Sequence, residues 1–391
     1  MSQPWRILVV DDEPDLEPLV LQRMRRQIRG GKYQFEFAGN GLEALEKLRA
    51  DDTIDLVLSD INMPQMDGLT LLSQLSSLDQ DLRAVIISAY GDMGNIRTAM
   101  NRGAFDFVTK PVDFDDLQIT IDRTVEHLRQ WREATASRDK LVTLQNELDI
   151  ATNVQQSILP SDFPATAKYE INANMVPARN VGGDFYDYVG VPNDRMFATV
   201  ADVSDKGIPA ALFMMSSRTA LKGAAIGTGS PREALIEANR VLQADNPTLM
   251  FVTVIMAVYD PHSGEVTYSS AGHDPPVVVR ADGSAEQLPA MGGIALGVAP
   301  EELFGANLKE HTFSLAPGET LLLYTDGVSE AMNVEHEEFG TARLLQLFEG
   351  NAPKSADEAM TAVFDAVHEF AGEAPASDDI TCLALHRSAT P

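Results

Sequence analysis

The sequence predicts a multidomain chain: an α/β doubly wound domain at the N-terminus, a long connecting helix with a coiled-coil pattern, and an α+β domain at the C-terminus. Three observations carry this reading. Between Ile7 and Val108, short apolar runs alternate with helical patterns, which means a parallel sheet with right-handed crossovers. From Asp113 to Leu159 there is neither Gly nor Pro. One helix there would run roughly 70 Å at about 1.5 Å per residue, too long to fold back into one compact domain. From Tyr169 onward, strand-like runs and turn signals are interspersed with a few long helices, the pattern of sheets covered by helices. Boundaries are expected at 1–122, 123–160 and 161–391.

Composition narrows the function classes. Apolar residues are 44% and charged residues 23% of the 391, as in ordinary globular domains. The net charge of −28 repels nucleic acid and anionic membrane, so no direct nucleic-acid partner and no membrane partner is expected. A single cysteine, Cys382, allows no internal disulfide and fits a reducing compartment. There is no spanning-length apolar run and no signal-peptide pattern. The expected location is cytoplasmic.

In the first block, the runs Ile7–Val10, Phe35–Phe37, Asp55–Ser59, Ala84–Ser88 and Phe105–Val108 read as strands, with helices at Gly41–Ala50 and Gly68–Ser77. Ligands of a parallel sheet sit beyond the carboxyl ends of its strands. Polar residues gather there: Asp11 and Asp12, then Asp60, Ser88 and Lys110. Three converging carboxylates would repel one another unless a hard cation such as Mg²⁺ sat among them. An acidic pair alone is more often a cap or a turn, but five polar residues at four strand ends agree.

The motifs VVDDE, LSDINMPQMDG, ISAYGD and FDFVTKPVD resemble the receiver domain of bacterial two-component response regulators over this whole block. The resemblance implies Asp60 as phosphoacceptor and a sensor histidine kinase or phosphotransfer protein as partner. Mg²⁺ would be held by Asp11, Asp12 and Asp60 with the Asn62 backbone carbonyl. Lys110 and Ser88 would meet the phosphoryl oxygens, Phe107 would be the switch aromatic, and Lys110–Pro111 a cis peptide bond.

In the connecting segment, Leu117, Ile121, Val125 and Leu128 recur at steps of four and three and should face the first sheet. Thr135–Asp139 is polar, and a hinge or stutter is expected there. Leu141, Leu144, Leu148, Ala151, Gln155 and Ile158 then form a heptad seam with a polar defect at Gln155. The favoured reading is a parallel homodimer helix; the alternative is an amphipathic helix packed on its own domain. Pro160 ends it.

In the last block, strands are expected at Met196–Val203, Met250–Tyr259, Glu265–Ser270, Pro276–Arg280, Glu319–Tyr324 and Ile380–His386. Helices are expected at Ile208–Ala225, Pro231–Gln243, Thr341–Glu349 and Ala356–Gly372. Carboxylates fall at strand edges in four separate segments: Asp184, Asp202, Asp326, and the pair Asp378–Asp379. Each alone is ordinary turn chemistry. No Cys/His zinc spacing exists, and an oxygen-only donor set favours Mg²⁺ or Mn²⁺. Cys382 alternates with apolar neighbours and reads as core. His273 reads as fixing its Pro-rich turn, with general acid as the lesser alternative.

VGGDFYDY, ADVSDKGIPAAL, MFVTVIMAVYD, YSSAGHDPP, LLLYTDGVSEAMN and SDDITCLAL, in order, resemble the metal-dependent PPM-type (protein phosphatase 2C-like) serine phosphatases of the bacterial partner-switching branch. The resemblance implies a β-sandwich flanked by helices and a two-metal site. Asp202 would bridge, Asp326 and Asp378 would complete the first metal, and Asp184 with the Val203 carbonyl would serve the second. Asp379 stands as the alternative to Asp378. Arg179 is a candidate phosphate clamp. Ser204-Asp205-Lys206-Gly207 departs from the branch's usual Ser-Gly-His/Lys-Gly, and Asp205 is expected to alter metal affinity or touch substrate. The implied substrate is a phosphorylated anti-sigma-factor antagonist. The rival is a catalytically inactive adaptor that binds a sigma or anti-sigma partner when phosphorylated. Loss of the metal aspartates would mark that case, and all are present.

Overall fold

The computed structural model describes residues 3–78, 81–89, 91–244 and 246–389. Tyr90 of the ISAYGD motif lies outside the described residues. The chain divides into two compact units, Met1–Thr143 and Leu144–Pro391.

In the first unit, β1 (Trp5–Val10), β2 (Tyr33–Ala38), β3 (Leu56–Asp60), β4 (Arg83–Ala89) and β5 (Asp106–Lys110) form a parallel sheet in the order β2-β1-β3-β4-β5. Helices α1 (Leu16–Arg23), α2 (Arg25–Arg29), α3 (Gly41–Ala50), α4 (Gly68–Leu75) and α5 (Met93–Asn101) connect them. The sheet is apolar on both faces. Leu8, Val10, Val57 and Ile86 belong to one buried cluster, and Ile7, Val9, Leu58 and Val85 to the other. This is why the central strands β1, β3 and β4 read as nearly continuous apolar runs. The last strand runs two residues further than its apolar pattern suggests, so Lys110 ends it. α6 (Phe114–Ile158) follows, and its helical run is continuous through Thr135–Asp139, the stretch where a hinge or stutter was expected. Leu117, Ile121, Val125 and Leu128 are buried, as their spacing predicts. Arg132 then pins the helix to the sheet: it pairs with Asp55 (2.6 Å), donates to the Asp81 carbonyl (2.7 Å) and lies over the Trp5 ring.

The second unit holds two antiparallel five-stranded sheets. β7 (Phe185–Gly190), β8 (Met196–Val203), β9 (Val252–Tyr259), β10 (Glu265–Ala271) and β13 (Glu310–Ser314) run in the order β13-β10-β9-β8-β7. β6 (Tyr169–Val176), β11 (Val277–Val279), β12 (Ala285–Gln287), β14 (Thr320–Tyr324) and β15 (Ile380–Arg387) run in the order β12-β11-β14-β15-β6. The sheets share one core. Residues of β8 share one buried cluster with Leu321 and Leu323 of β14 and Leu383 and Leu385 of β15. The alternate residues Leu322, Tyr324, Cys382 and Ala384 face outward onto α11 (Gly340–Gln346) and α12 (Ala356–Ala371), through Leu344, Met360 and Val363. α7 (Ile208–Gly227), α8 (Pro231–Ala244) and α9 (Glu301–Asn307) cover the other sheet. β6, β7, β12 and β13 were not expected. In β6, Glu170, Asn172 and Asn174 alternate with the buried Tyr169, Ile171, Ala173 and Met175, and β13 is a polar edge strand. Asp326 opens the short helix α10 (Asp326–Ser329) rather than ending β14.

The heptad seam divides. Leu141 and Leu144 are 67% and 47% exposed, whereas Gln155 is 3% exposed and Leu159 is core. Gln155 is therefore no seam defect. Its amide grips one residue of the second unit from both sides, donating to the Gly182 carbonyl (2.6 Å) and accepting from the Gly182 N–H (3.0 Å). Thr152 adds a bond to the Asn180 carbonyl (2.6 Å). The end of α6 thus packs on its own domain, the alternative reading.

Candidate functional site

Four segments of the second unit bring carboxylates close enough to interact. Asp184 precedes β7, Asp202 is the penultimate residue of β8, Asp326 follows β14, and Asp378 and Asp379 precede β15. The loop Val181–Asp184 must pass close to backbone. A Cβ on Gly183 would stand 2.9 Å from the Val203 carbonyl oxygen, and one on Gly182 would stand 2.5 Å from Asp379 Oδ2. Across the site, a Cβ on Gly327 would stand 1.9 Å from the Asp379 carbonyl oxygen. Glycine at these positions is a packing requirement.

The two neighbouring aspartates take different parts. Asp379 is buried and faces the loop. Its Oδ1 accepts the Ala178 N–H (2.8 Å), and its Oδ2 accepts those of Gly183 (2.6 Å) and Asp184 (3.3 Å). Both oxygens are committed to backbone. Asp378 is half-buried and pairs with Lys206 Nζ at 2.9 Å. Asp184 is almost fully buried and accepts the Thr325 hydroxyl proton (2.7 Å). Thr325 is a residue the sequence reading missed; its place beside Asp326 in the YTDG run was the available signal.

The electrostatics are those of an under-compensated acidic centre. Burial, with Asp202 and Asp379 nearby, holds the Asp184 carboxyl well above the usual carboxylate range. Burial, and then Asp326, pushes Asp202 up to about 7. Burial, then Glu330 and Asp378, pushes Asp326 up to about 6. Among the described residues, Lys206 is the one cation in an ion pair with this set. Cations nearby are otherwise engaged: Arg218 (3.1 Å) and Lys222 (3.7 Å) on α7 hold the buried Asp187 of β7. A donor set of carboxylates and one carbonyl, carrying surplus negative charge, fits a hard divalent cation.

Two other candidates are tied down. His273 Nε2 faces the Tyr324 carbonyl (3.0 Å), so it carries the proton, and Nδ1 accepts from the Thr253 hydroxyl (3.0 Å). Burial pushes this imidazole down to about 4, so it stays neutral. Burial pushes the Cys382 thiol up to about 12. Arg179 is exposed beside the glycine loop and makes no ion pair among the described residues. Asp205 is exposed in a left-handed conformation (φ +69°).

In the first unit, Asp11, Asp12 and Asp60 each offer a carboxylate oxygen, and these lie within 4.8 Å of one another, a group that could hold a cation. Lys110 Nζ reaches Asp60 Oδ2 (2.9 Å), Asp11 Oδ2 (3.1 Å) and Glu13 Oε1 (2.9 Å). Burial works against that ammonium, but these carboxylates hold its pKa above the ordinary lysine value. Glu13 was not anticipated. Ser88 is fully buried, and its Oγ has no hydrogen-bond partner, an orphan suited to an arriving oxygen. Asn62 and Phe107 are exposed beside the site's strands, and Lys110–Pro111 is cis. A Cβ on Gly68 would meet the Asp60 carbonyl oxygen at 2.1 Å.

Comparison with known proteins agrees with this division. Residues 192–388, half of the chain, match the family described as Stage II sporulation protein E (SpoIIE), and residues 7–122 match the response regulator receiver domain. Protein IcfG of a Synechocystis strain is 30% identical over 62% of this chain and 42% of its own length. Phosphoserine phosphatase RsbU of Bacillus subtilis is 29% identical over 70% of this chain and 80% of its own. The solved SiaA-PP2C domain of Pseudomonas aeruginosa has 25% identity and a TM-score of 0.54, covering 63% of this chain and 97% of that one. Thus the chain spans less than half of IcfG and most of RsbU. No helix among the described residues is long and apolar enough to cross a membrane. The chain belongs to the Stage II sporulation protein E (SpoIIE) family, with a PPM-type phosphatase domain behind a response regulator receiver domain.

Proposed function

We propose that this chain is a response regulator whose output is metal-dependent hydrolysis of phosphoserine or phosphothreonine on a protein, controlled by phosphorylation of Asp60. The observation that supports it most is the meeting of Asp184, Asp202, Asp326 and Asp378 from two sheets with so little cationic compensation. Asp202 would be shared by two cations, Mg²⁺ or Mn²⁺. Asp326 and Asp378 would complete one, and Asp184 with the Val203 carbonyl the other. Asp379 would hold the loop instead of a metal. When bound, the pair supplies a water activated at neutral pH and offsets charge gathering on the phosphoryl oxygens.

The chain's own residues do the positioning. Asp379 and Thr325 hold Asp184 and its loop. Arg179, exposed beside that loop, would meet a phosphoryl oxygen. His273 and Cys382 take no part in proton transfer or attack, being tied at both nitrogens and buried, respectively.

In the receiver, Asp11, Asp12, Asp60 and the Asn62 carbonyl would hold Mg²⁺. Asp60 would take the phosphoryl group from a sensor histidine kinase or phosphotransfer protein. Lys110 and Ser88 would bind its oxygens, Phe107 would respond, and the change would pass along α6 in a parallel homodimer. The substrate proposed is a phosphorylated anti-sigma-factor antagonist. The name of RsbU, a phosphoserine phosphatase, supports the substrate class.

The test is Mn²⁺-dependent hydrolysis of an aryl phosphate by the full chain, with and without a beryllofluoride mimic on the receiver, beside Asp202→Ala. Turnover that disappears in Asp202→Ala is expected, and a change with the mimic gives the sign of control. No turnover in any state overturns the enzymatic reading.

A further inference from the structure

We propose that Lys206 is the resident counter-cation of the phosphatase centre, which must release Asp378 before a divalent cation enters and so sets the metal affinity of the domain. This rests on the metal-dependent reading above and adds to it a residue that opposes the metal.

The ammonium of Lys206 lies 2.9 Å from Asp378 Oδ2 and also donates to the Ser377 carbonyl. It therefore spans from the loop after β8 to the segment that leads into β15. Residues on both sides of it are left-handed, Asp205 at φ +69° and Gly207 at φ +81°. The loop thus reverses tightly around Lys206, between Asp202 and the start of α7 at Ile208.

The remaining charges define its task. Asp184, Asp202 and Asp326 repel one another across the centre. Arg218 and Lys222 are committed to Asp187, and among the described residues no cation other than Lys206 pairs with the four carboxylates. An ammonium at Asp378 lowers the repulsion, but it also holds a donor that an entering cation needs. Two like charges cannot share that carboxylate closely. The side chain is about one-third exposed, so its four-carbon stem can swing the charge to solvent without opening the core. Metal entry is in this way an exchange, one cation leaving as another arrives, at the loop that leads from β8 into α7.

The test is Mn²⁺ binding, measured by titration calorimetry and by the electron paramagnetic resonance signal of free Mn²⁺. The protein is the full chain with its receiver site silenced by Asp12→Asn. Lys206→Met keeps the stem and removes the charge; its affinity is expected to be tighter by about 3- to 10-fold, the range of a half-exposed pair plus relieved repulsion. Lys206→Gln should behave in the same direction, and Lys206→Arg should stay within about twofold of the parent. Unchanged or weaker binding in both neutral variants overturns the proposal. Asp202→Asn separates the two readings: if it binds Mn²⁺ as well as the parent does, the centre is no metal site and both fall together. If it loses binding while Lys206→Met is unaltered, only the role of Lys206 falls.

Discussion

Asp378 and Asp379 are adjacent in sequence but should fail differently when neutralised. Asp379→Asn replaces one carboxylate oxygen with an amide nitrogen. Whichever way the amide turns, a donor then faces either the Ala178 N–H or the Gly183 and Asp184 N–H groups. Bonds to a charged acceptor contribute about 1.5–3 kcal/mol each, and an orphaned buried donor costs a similar amount. Relief of repulsion with Asp184 and Asp202 offsets part of this. The expected loss is about 2–4 kcal/mol from the C-terminal unit. Asp378→Asn breaks only a half-exposed ion pair with Lys206, which contributes about 1 kcal/mol or less, yet it should lower Mn²⁺ affinity by about tenfold or more. Scanning calorimetry in chelator is the suitable assay, because both tryptophans, Trp5 and Trp131, belong to the first unit and fluorescence would miss the second. If Asp379→Asn melts like the parent while Asp378→Asn melts low, the assignment of the two aspartates is reversed and the reasoning fails.

Three further outcomes can be checked. Burial and like charge hold Asp202 at about 7 and Asp326 at about 6, above the ordinary carboxylate value of 3.8; the folded unit therefore binds more protons than the unfolded chain between about pH 4 and 7, and its stability without metal must fall as pH rises through that window. Calorimetry in chelator should show the C-terminal transition moving down across it, with Mn²⁺ removing the slope; a transition that climbs would sink the idea. Gly68→Ala forces a Cβ to within 2.1 Å of the Asp60 carbonyl oxygen and should cost the receiver about 1–3 kcal/mol, read by tryptophan fluorescence in urea, with slower phosphorylation by a small phosphodonor; parent-like values for both would contradict it. Ser88→Ala should leave stability within about 0.5 kcal/mol, since the buried Oγ has no partner to lose, while weakening beryllofluoride binding to the receiver; a clear loss of stability would show that the hydroxyl is bonded after all.

The parallel sheet was legible because both its faces are buried, so its central strands β1, β3 and β4 appear as nearly uninterrupted apolar runs, most of them bounded by a polar end. The strands of the second unit were legible where they are central, as with β8, whose predicted and observed limits coincide at Met196–Val203. They were not legible at edges, where β13 alternates exposed residues and β6 carries asparagines. The carboxylates could be found because a charged residue at the end of an apolar strand is conspicuous. Their division of labour could not, because it depends on which backbone N–H groups stand opposite Asp379, and these lie nearly 200 residues away in the chain. Gln155 was misread for a related reason. A spacing of three and four is the same whether the stripe meets another helix or a loop of its own domain, and the partner, Gly182, has no side chain to announce itself.

That grip on Gly182 bears on where the catalytic unit can be cut from its chain. A fragment that begins at 161, just past Pro160, would leave both backbone groups of Gly182 without their amide partner and the core without Leu159. These losses fall one residue from Gly183, whose N–H is held by Asp379. A fragment that begins near Leu144 keeps them. The last turns of α6 are thus the first element of the enzyme as much as the end of a connector. Weak turnover in the shorter piece would reflect a damaged glycine loop, not release from receiver control.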